Sequence, residues 1–188
     1  MTNSLRTRAP QPPPVRSAVA RDTDPSTALA RHFSQVLAKQ RGELPLINPA
    51  LEVAAVGFVR HQGDWLGVMI TPWFLDLFLL SGSGQIWGDI PTGERRYVDL
   101  PCGTLHFIAE DDPDLGPYQH FPLITPITGV PDMASAVQIA QDAMRTVLVL
   151  PALPTTSSPE PFPGNSRPGT PPTPLPRRTF FRRLAGKR

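Results

Sequence analysis

The spacing of apolar positions changes along the chain, and each change marks an element. Between Asp24 and Gly42, Leu29, Phe33, Val36 and Leu37 recur at the spacing of one helix face. Asp24 followed by Pro25 makes a cap and a first-turn proline, and Gly42 supplies a left-handed stop behind Lys39 and Arg41, so a helix is expected over 24–42. The period then shortens. Val53–Arg60 and Trp65–Thr71 are rich in strand formers and flank the short turn His61-Gln62-Gly63-Asp64. Gly57 and Gly67, set inside these runs, mark bulges or a close backbone approach.

The segment TPWFLDLFLL (71–80) is apolar without a clean period. The run could equally be a buried strand, but Thr71 before Pro72 is a good helix start, so one helical turn is favoured over Pro72–Asp76, then a short strand over Leu77–Leu80, broken by SGSGQ. Further strands fall at Tyr97–Leu100, Thr104–Ala109 and Tyr118–Ile124, with EDDPDLG (110–116) as the turn between the last two. The second helix spans 131–150, capped by Asp132 and ended by Pro151, with Met133, Val137, Ala140, Met144 and Val147 as its apolar stripe. Connections between strands are too short for helical crossovers, so the sheet should be largely antiparallel. The two amphipathic helices then pack on it, most simply on one face. The expected fold class is α+β.

Composition adds two arms. Of 25 prolines, five lie in residues 1–25 and ten in residues 151–188; proline removes backbone donors and cannot continue a helix. The chain is therefore read as a disordered basic arm (1–23), a folded domain (24–151) and a Pro-rich linker with a basic terminus (152–188). The net charge of +2 hides a partition: +3 in residues 1–23, +6 in residues 151–188 and −7 between them. Nucleic-acid binding needs a basic folded surface, and here the fold is acidic, which argues against it. No apolar run of membrane-spanning length occurs, and proline follows Arg6 and Arg8 where a signal peptide would need an apolar stretch. The expected location is the cytoplasm, without stable membrane insertion, and the single cysteine, Cys102, fits a reducing compartment.

Motifs for catalysis are missing. Cys102, His106 and His120 could be imagined as a metal set, but the close ligand pairs of zinc sites do not occur. A thiol mechanism at Cys102 is an alternative, although Pro101–Gly103 reads first as a turn. Neither phosphate-binding glycine motif is present. No catalytic residue, metal or cofactor is therefore assigned. Partner binding has better candidates. The acidic Glu110, Asp111, Asp112 and Asp114 make either a solvated turn or a docking site for a basic peptide. The run containing Trp73, Phe74 and Phe78 reads first as core, with a groove for an apolar segment as the alternative. PPTPLPRR (171–178) has the P-x-x-P character of a groove ligand, which leaves a Pro-rich scaffold as a further reading.

GDWLGVMITPWFLDLFLL (63–80), LPCGTLHFIAED (100–111), FPLITPI (121–127) and the terminal RRTFFRR together resemble the HybE/HupJ/HoxT family of [NiFe]-hydrogenase assembly chaperones. The resemblance covers about residues 26–151 plus the basic terminus. It implies a non-enzymatic maturation factor that holds small- or large-subunit precursors of an uptake hydrogenase and delays export. In that light Arg177, Arg178, Phe180 and Phe181 match the R-R-x-F core of a twin-arginine export signal, placed where it cannot drive export. The acidic domain could bind such a segment, since arginine–carboxylate pairs are charge-assisted and often bidentate.

Overall fold

The computed structural model describes residues 15–40 and 47–149. In chain order they form α1 (Ser26–Gln40), β1 (Ala54–His61), β2 (Asp64–Ile70), β3 (Leu75–Leu80), β4 (Arg95–Leu100), β5 (Gly103–Asp112), β6 (Gly116–Ile124), a 3-10 turn (Ile127–Gly129) and α2 (Met133–Val149). The strands make one sheet in the order β1-β2-β3-β6-β5-β4, with antiparallel pairing at each step. The α+β class is as expected.

Local chemistry explains the element ends. The Asp24 carboxylate accepts the Ser26 N–H at 2.8 Å, and Asp132 accepts the Ser135 N–H at 2.7 Å, so both helices start on the side-chain caps read from the sequence. Gln62 (φ 50°) and Gly63 (φ 91°) form a two-residue hairpin turn with both residues left-handed, whose twist suits the flanking strands. Gly57 (φ 66°) sits in a bulge where the β1–β2 register shifts between Val56 and Val59. At Gly67 a Cβ would lie 2.3 Å from the Phe58 ring, so the ring lies on bare backbone.

Expectation and structure part over residues 72–76. No helical turn forms there: β3 begins at Leu75 and pairs with β2 from Ile70↔Leu75 to Trp65↔Leu80. A helical turn would forfeit the first ladder bonds. The Thr71 hydroxyl still behaves as a cap, accepting the Phe74 N–H at 2.9 Å, but it closes a hairpin loop in which the Thr71 N–H donates to the Phe74 carbonyl at 2.9 Å. The acidic turn is likewise shorter than expected, because β5 runs on to Asp112 and pairs Glu110 with Tyr118.

The helices lie on opposite sheet faces, not on one. Leu29 and Phe33 of α1 pack with Phe58, Trp65, Met69, Phe78 and Leu80. Ala136, Ala140, Ala143, Met144 and Val147 of α2 pack with Leu66, Val68, Ile70, Leu77, Leu79 and Phe121. Every residue of β2 and β3 is consequently buried. The alanines let α2 lie close to the sheet. Beyond β3 the α2 face is closed by the loop before β4: Ile86 joins the cluster of Val98, Leu100, Leu105 and Phe107. Asp64, fully buried, holds this loop by accepting the backbone N–H groups of Gly82, Gly84, Ile86 and Trp87 at 2.8–2.9 Å.

The ordered domain also begins earlier than residue 24. Arg21 donates from its backbone to the Ser81 carbonyl at 2.8 Å and from its guanidinium to the Leu115 carbonyl at 2.5 Å. Its own carbonyl accepts the Trp65 indole N–H at 2.8 Å and Arg60 at 3.0 Å. Ala18 N–H reaches Asp89 at 3.0 Å and Arg16 reaches Asp111 at 3.1 Å. Residues 15–23, assigned to a disordered arm, thus form a strap, because backbone groups of the folded domain supply partners that composition does not reveal.

Candidate functional site

The two halves of the sheet differ on the α1 side. Along β4, β5 and β6 burial alternates, so one face belongs to the core and the other stays within reach of solvent. Pairing fixes what that open face shows: Glu110 beside Tyr118, Ile108 beside His120 and Tyr97 beside His106. Tyr97 is 60% exposed.

Its floor is polar. Asp76, the single charge in the apolar run of β3, is 4% exposed, and its Oδ2 accepts the His120 Nδ1–H at 2.7 Å. Its Oδ1 has no hydrogen-bond partner among the described residues. His120 Nε2 lies 4.0 Å from Glu110 Oε1, so the imidazole bridges a buried and a half-exposed carboxylate. The Tyr118 ring stacks on Phe78 at 4.9 Å. Burial pushes the Tyr118 phenol up, and the charges of Glu110, Asp112 and Asp76 add to the shift, so its hydroxyl stays a neutral donor.

The candidate residues divide accordingly. Glu110 and Asp112 share the open face, whereas Asp111, one residue out of phase, points to the other side and pairs with Arg16 at 3.1 Å. Asp112 closes the β5–β6 turn by accepting the N–H groups of Asp114 and Leu115 at 2.9 and 2.8 Å. Its other oxygen lies 3.1 Å from His32 Nε2 on α1. His32, Asp112 and exposed Asp114 place one ligand atom each within 4.8 Å of one another, the one such group among the described residues. The turn and the helix contact account for Asp112 without an ion.

Phe78 is 1% exposed and belongs to the core under α1. Trp73 and Phe74 are half-buried at the β2–β3 hairpin. Ring contacts run from Trp73 to Phe74 (5.6 Å) and on to Phe78 (5.8 Å), so the aromatic run leads from the hairpin to Tyr118 and the open face. Arg177, Arg178, Phe180 and Phe181 lie outside the described residues. Cys102 is 4% exposed in the core cluster on the α2 side, while His120 faces the other side, so the imagined metal set is not assembled. Sequence reading did not single out Asp76, Tyr97, Tyr118 or His32. Asp76 had a signal, a lone carboxylate inside LDLFLL; the others became visible only through strand register.

No helix among the described residues is long and apolar enough to cross a membrane. The geometry is that of an α+β domain with a half-covered antiparallel sheet. Residues 24–183 match the family model described as [NiFe]-hydrogenase assembly, chaperone, HybE, and the chain belongs to that family. It is 34% identical over 161 residues to the hydrogenase expression/formation protein HoxT of Azotobacter vinelandii, covering 85% of this chain and 95% of that protein. It is 25% identical over 129 residues to the hydrogenase-2 operon protein HybE of Escherichia coli K12, covering 69% and 80%. A match at 30% identity over 118 residues to the probable rubredoxin HupJ of Rhodobacter capsulatus covers 63% of this chain but 42% of that protein. The fold is similar to the solution structure of HybE from Escherichia coli, with a TM-score of 0.57 and 22% identity over 80% of this chain and 94% of that one.

Proposed function

We propose that this chain is a non-catalytic holding chaperone for precursor subunits of a [NiFe] uptake hydrogenase, acting in the cytoplasm before export. Its client surface is the open half of the sheet. The observation that carries this reading is a face with exposed Tyr97 and half-exposed Glu110 above a buried Asp76 that keeps one oxygen without a partner. Such a face suits a segment carrying arginines and apolar residues, as a twin-arginine signal does: guanidinium groups pair with the carboxylates, and apolar side chains lie on Tyr97, Ile108 and Tyr118. Trp73 and Phe74 extend it toward the hairpin.

Affinity purification of the tagged full-length protein from its own hydrogenase-producing cells tests the reading. The expected companion is a hydrogenase precursor with its signal uncleaved, and Tyr97→Ser with Glu110→Gln reduces its recovery about tenfold. Recovery of the chaperone alone, from cells shown to contain the precursors, overturns the holding role. Undiminished recovery with the double variant moves the client surface elsewhere.

A further inference from the structure

We propose that the open face is occupied, when no client is present, by the chain's own C-terminal segment Arg177–Arg183. This rests on the reading of that face as the client surface and assigns it a regulator.

Charge supplies the first argument. Residues 24–150 carry a net −7 and residues 151–188 a net +6, so the two parts attract each other in the absence of any partner. The second argument is the order of residue types. RRTFFRR places two aromatic rings between two arginine pairs. The face places Tyr97, Ile108 and the edge of Tyr118 beside the half-exposed carboxylate Glu110, which can accept guanidinium donors. The buried Asp76 Oδ1, without a partner among the described residues, is a further acceptor beneath the same surface. The half of the face left bare by α1 thus offers a carboxylate and aromatic surface to the segment, with Arg95 on the same side of β4 as Tyr97 and Asp99.

Reach is the third argument. α2 packs on β1 and β2, with Met144 Cγ 3.3 Å from where a Cβ on Gly57 would lie. The chain therefore leaves the described domain near the β1 edge. From β1 to β5 is four strand spacings, about 19 Å, and the path must also pass round the sheet edge from the α2 face to the α1 face. A chain of the length from 150 to 176 can reach about 80 Å when fully extended, and a random coil of that length averages about 26–31 Å, so length does not prevent the contact. Tethering raises the segment's effective concentration to roughly millimolar, so a weak self-contact suffices to compete with a dilute client. A client signal then gains the face by displacing the arm, and an arm set free is a mark that the chaperone is loaded.

The test uses the full-length chain and a fluorescent peptide of residues 176–188. Anisotropy compares wild type with a full-length variant in which Arg177, Arg178, Arg182 and Arg183 are each changed to Glu. The variant, its own arm repelled, is expected to bind the peptide at least about tenfold more tightly. Adding Glu110→Gln to that variant is expected to remove about tenfold of the gain, with circular dichroism reporting that the fold is kept. Equal affinity of wild type and variant overturns the proposal, and so does a gain indifferent to Glu110. A dimer that dissociates on arginine reversal places the arm on a second copy and also overturns it. A twin-arginine signal peptide, run alongside, separates this proposal from the holding role. If it binds both chains equally while the 176–188 peptide binds neither, self-docking fails and holding stands. If the 176–188 peptide behaves as expected but no precursor is recovered from cells, holding fails and self-docking stands.

Discussion

The sheet is two half-sheets with different duties. β1, β2 and β3 lie between α1 and α2, and no residue of β2 or β3 is left exposed. β6, β5 and β4 are covered on the α2 side, meet α1 only near Tyr118 and Asp112, and alternate buried with accessible positions. The covered half is a scaffold: its centre is apolar, Asp64 and Arg60 at its end hold loop and strap, and Asp76, the one charge on β3, meets His120 of the neighbouring half. The open half spends the same strand geometry on display. The contrast shows that one helix placed off-centre is enough to leave half of a sheet face within reach of solvent.

Phe78→Ala should mark the scaffold half most strongly. The ring is 1% exposed and touches Phe33, Phe74 and Tyr118, so its loss is expected to cost about 3–5 kcal/mol in urea unfolding. A cost below about 1 kcal/mol would mean that α1 is not seated as described. Asp64→Asn comes next. An amide nitrogen would face backbone donors that the carboxylate now satisfies, and a loss of about 2–3 kcal/mol is expected, with loop 81–88 loosened in hydrogen exchange.

A smaller effect should appear in acid. Burial pushes the Asp89 carboxyl up, but the N–H of Ala18 and the side chains of Trp87 and Ser17 outweigh it and hold it below the ordinary 3.8. The sign follows: the stabilisation is complete above the ordinary value and is lost as pH falls through the lower folded value. The Ala18 amide resonance should therefore shift with a midpoint below 3.8, reporting release of the strap; a midpoint at or above that value contradicts the contact. The smallest effect belongs to the open half. Tyr97→Ser should change stability by no more than about 0.5 kcal/mol, because the ring is 60% exposed, yet weaken binding of the 176–188 peptide severalfold in the arginine-reversed chain. A large stability loss there would make the open face part of the core.

Much of the scaffold was legible in local sequence. Asp24, Pro25 and Asp132 marked helix starts, and His61–Asp64 marked a hairpin, because caps and turns are written in neighbouring residues. What was not legible depends on residues far apart. LDLFLL did carry the signal of a strand buried on both faces, but Thr71-Pro72 competed with it as a helix start, and only pairing with β2 decides between them. The strap at residues 15–23 looked like the rest of a Pro-rich arm because its anchors are backbone carbonyls of Ser81 and Leu115. For the site, Glu110 and Asp112 were visible as charge, but their separation from Asp111 follows from β5 continuing through them. Tyr118 and His120 gained meaning only when register set them against Glu110 and Phe78.

The sheet is open, and among the described residues β1 and β4 are its edge strands. Edge strands invite any extended chain to add itself as a further strand. Here β4 carries Arg95 and Asp99 at exposed positions, and β1 is broken by its bulge at Gly57. Charge on one border and a kink on the other make both edges poor templates for such an addition.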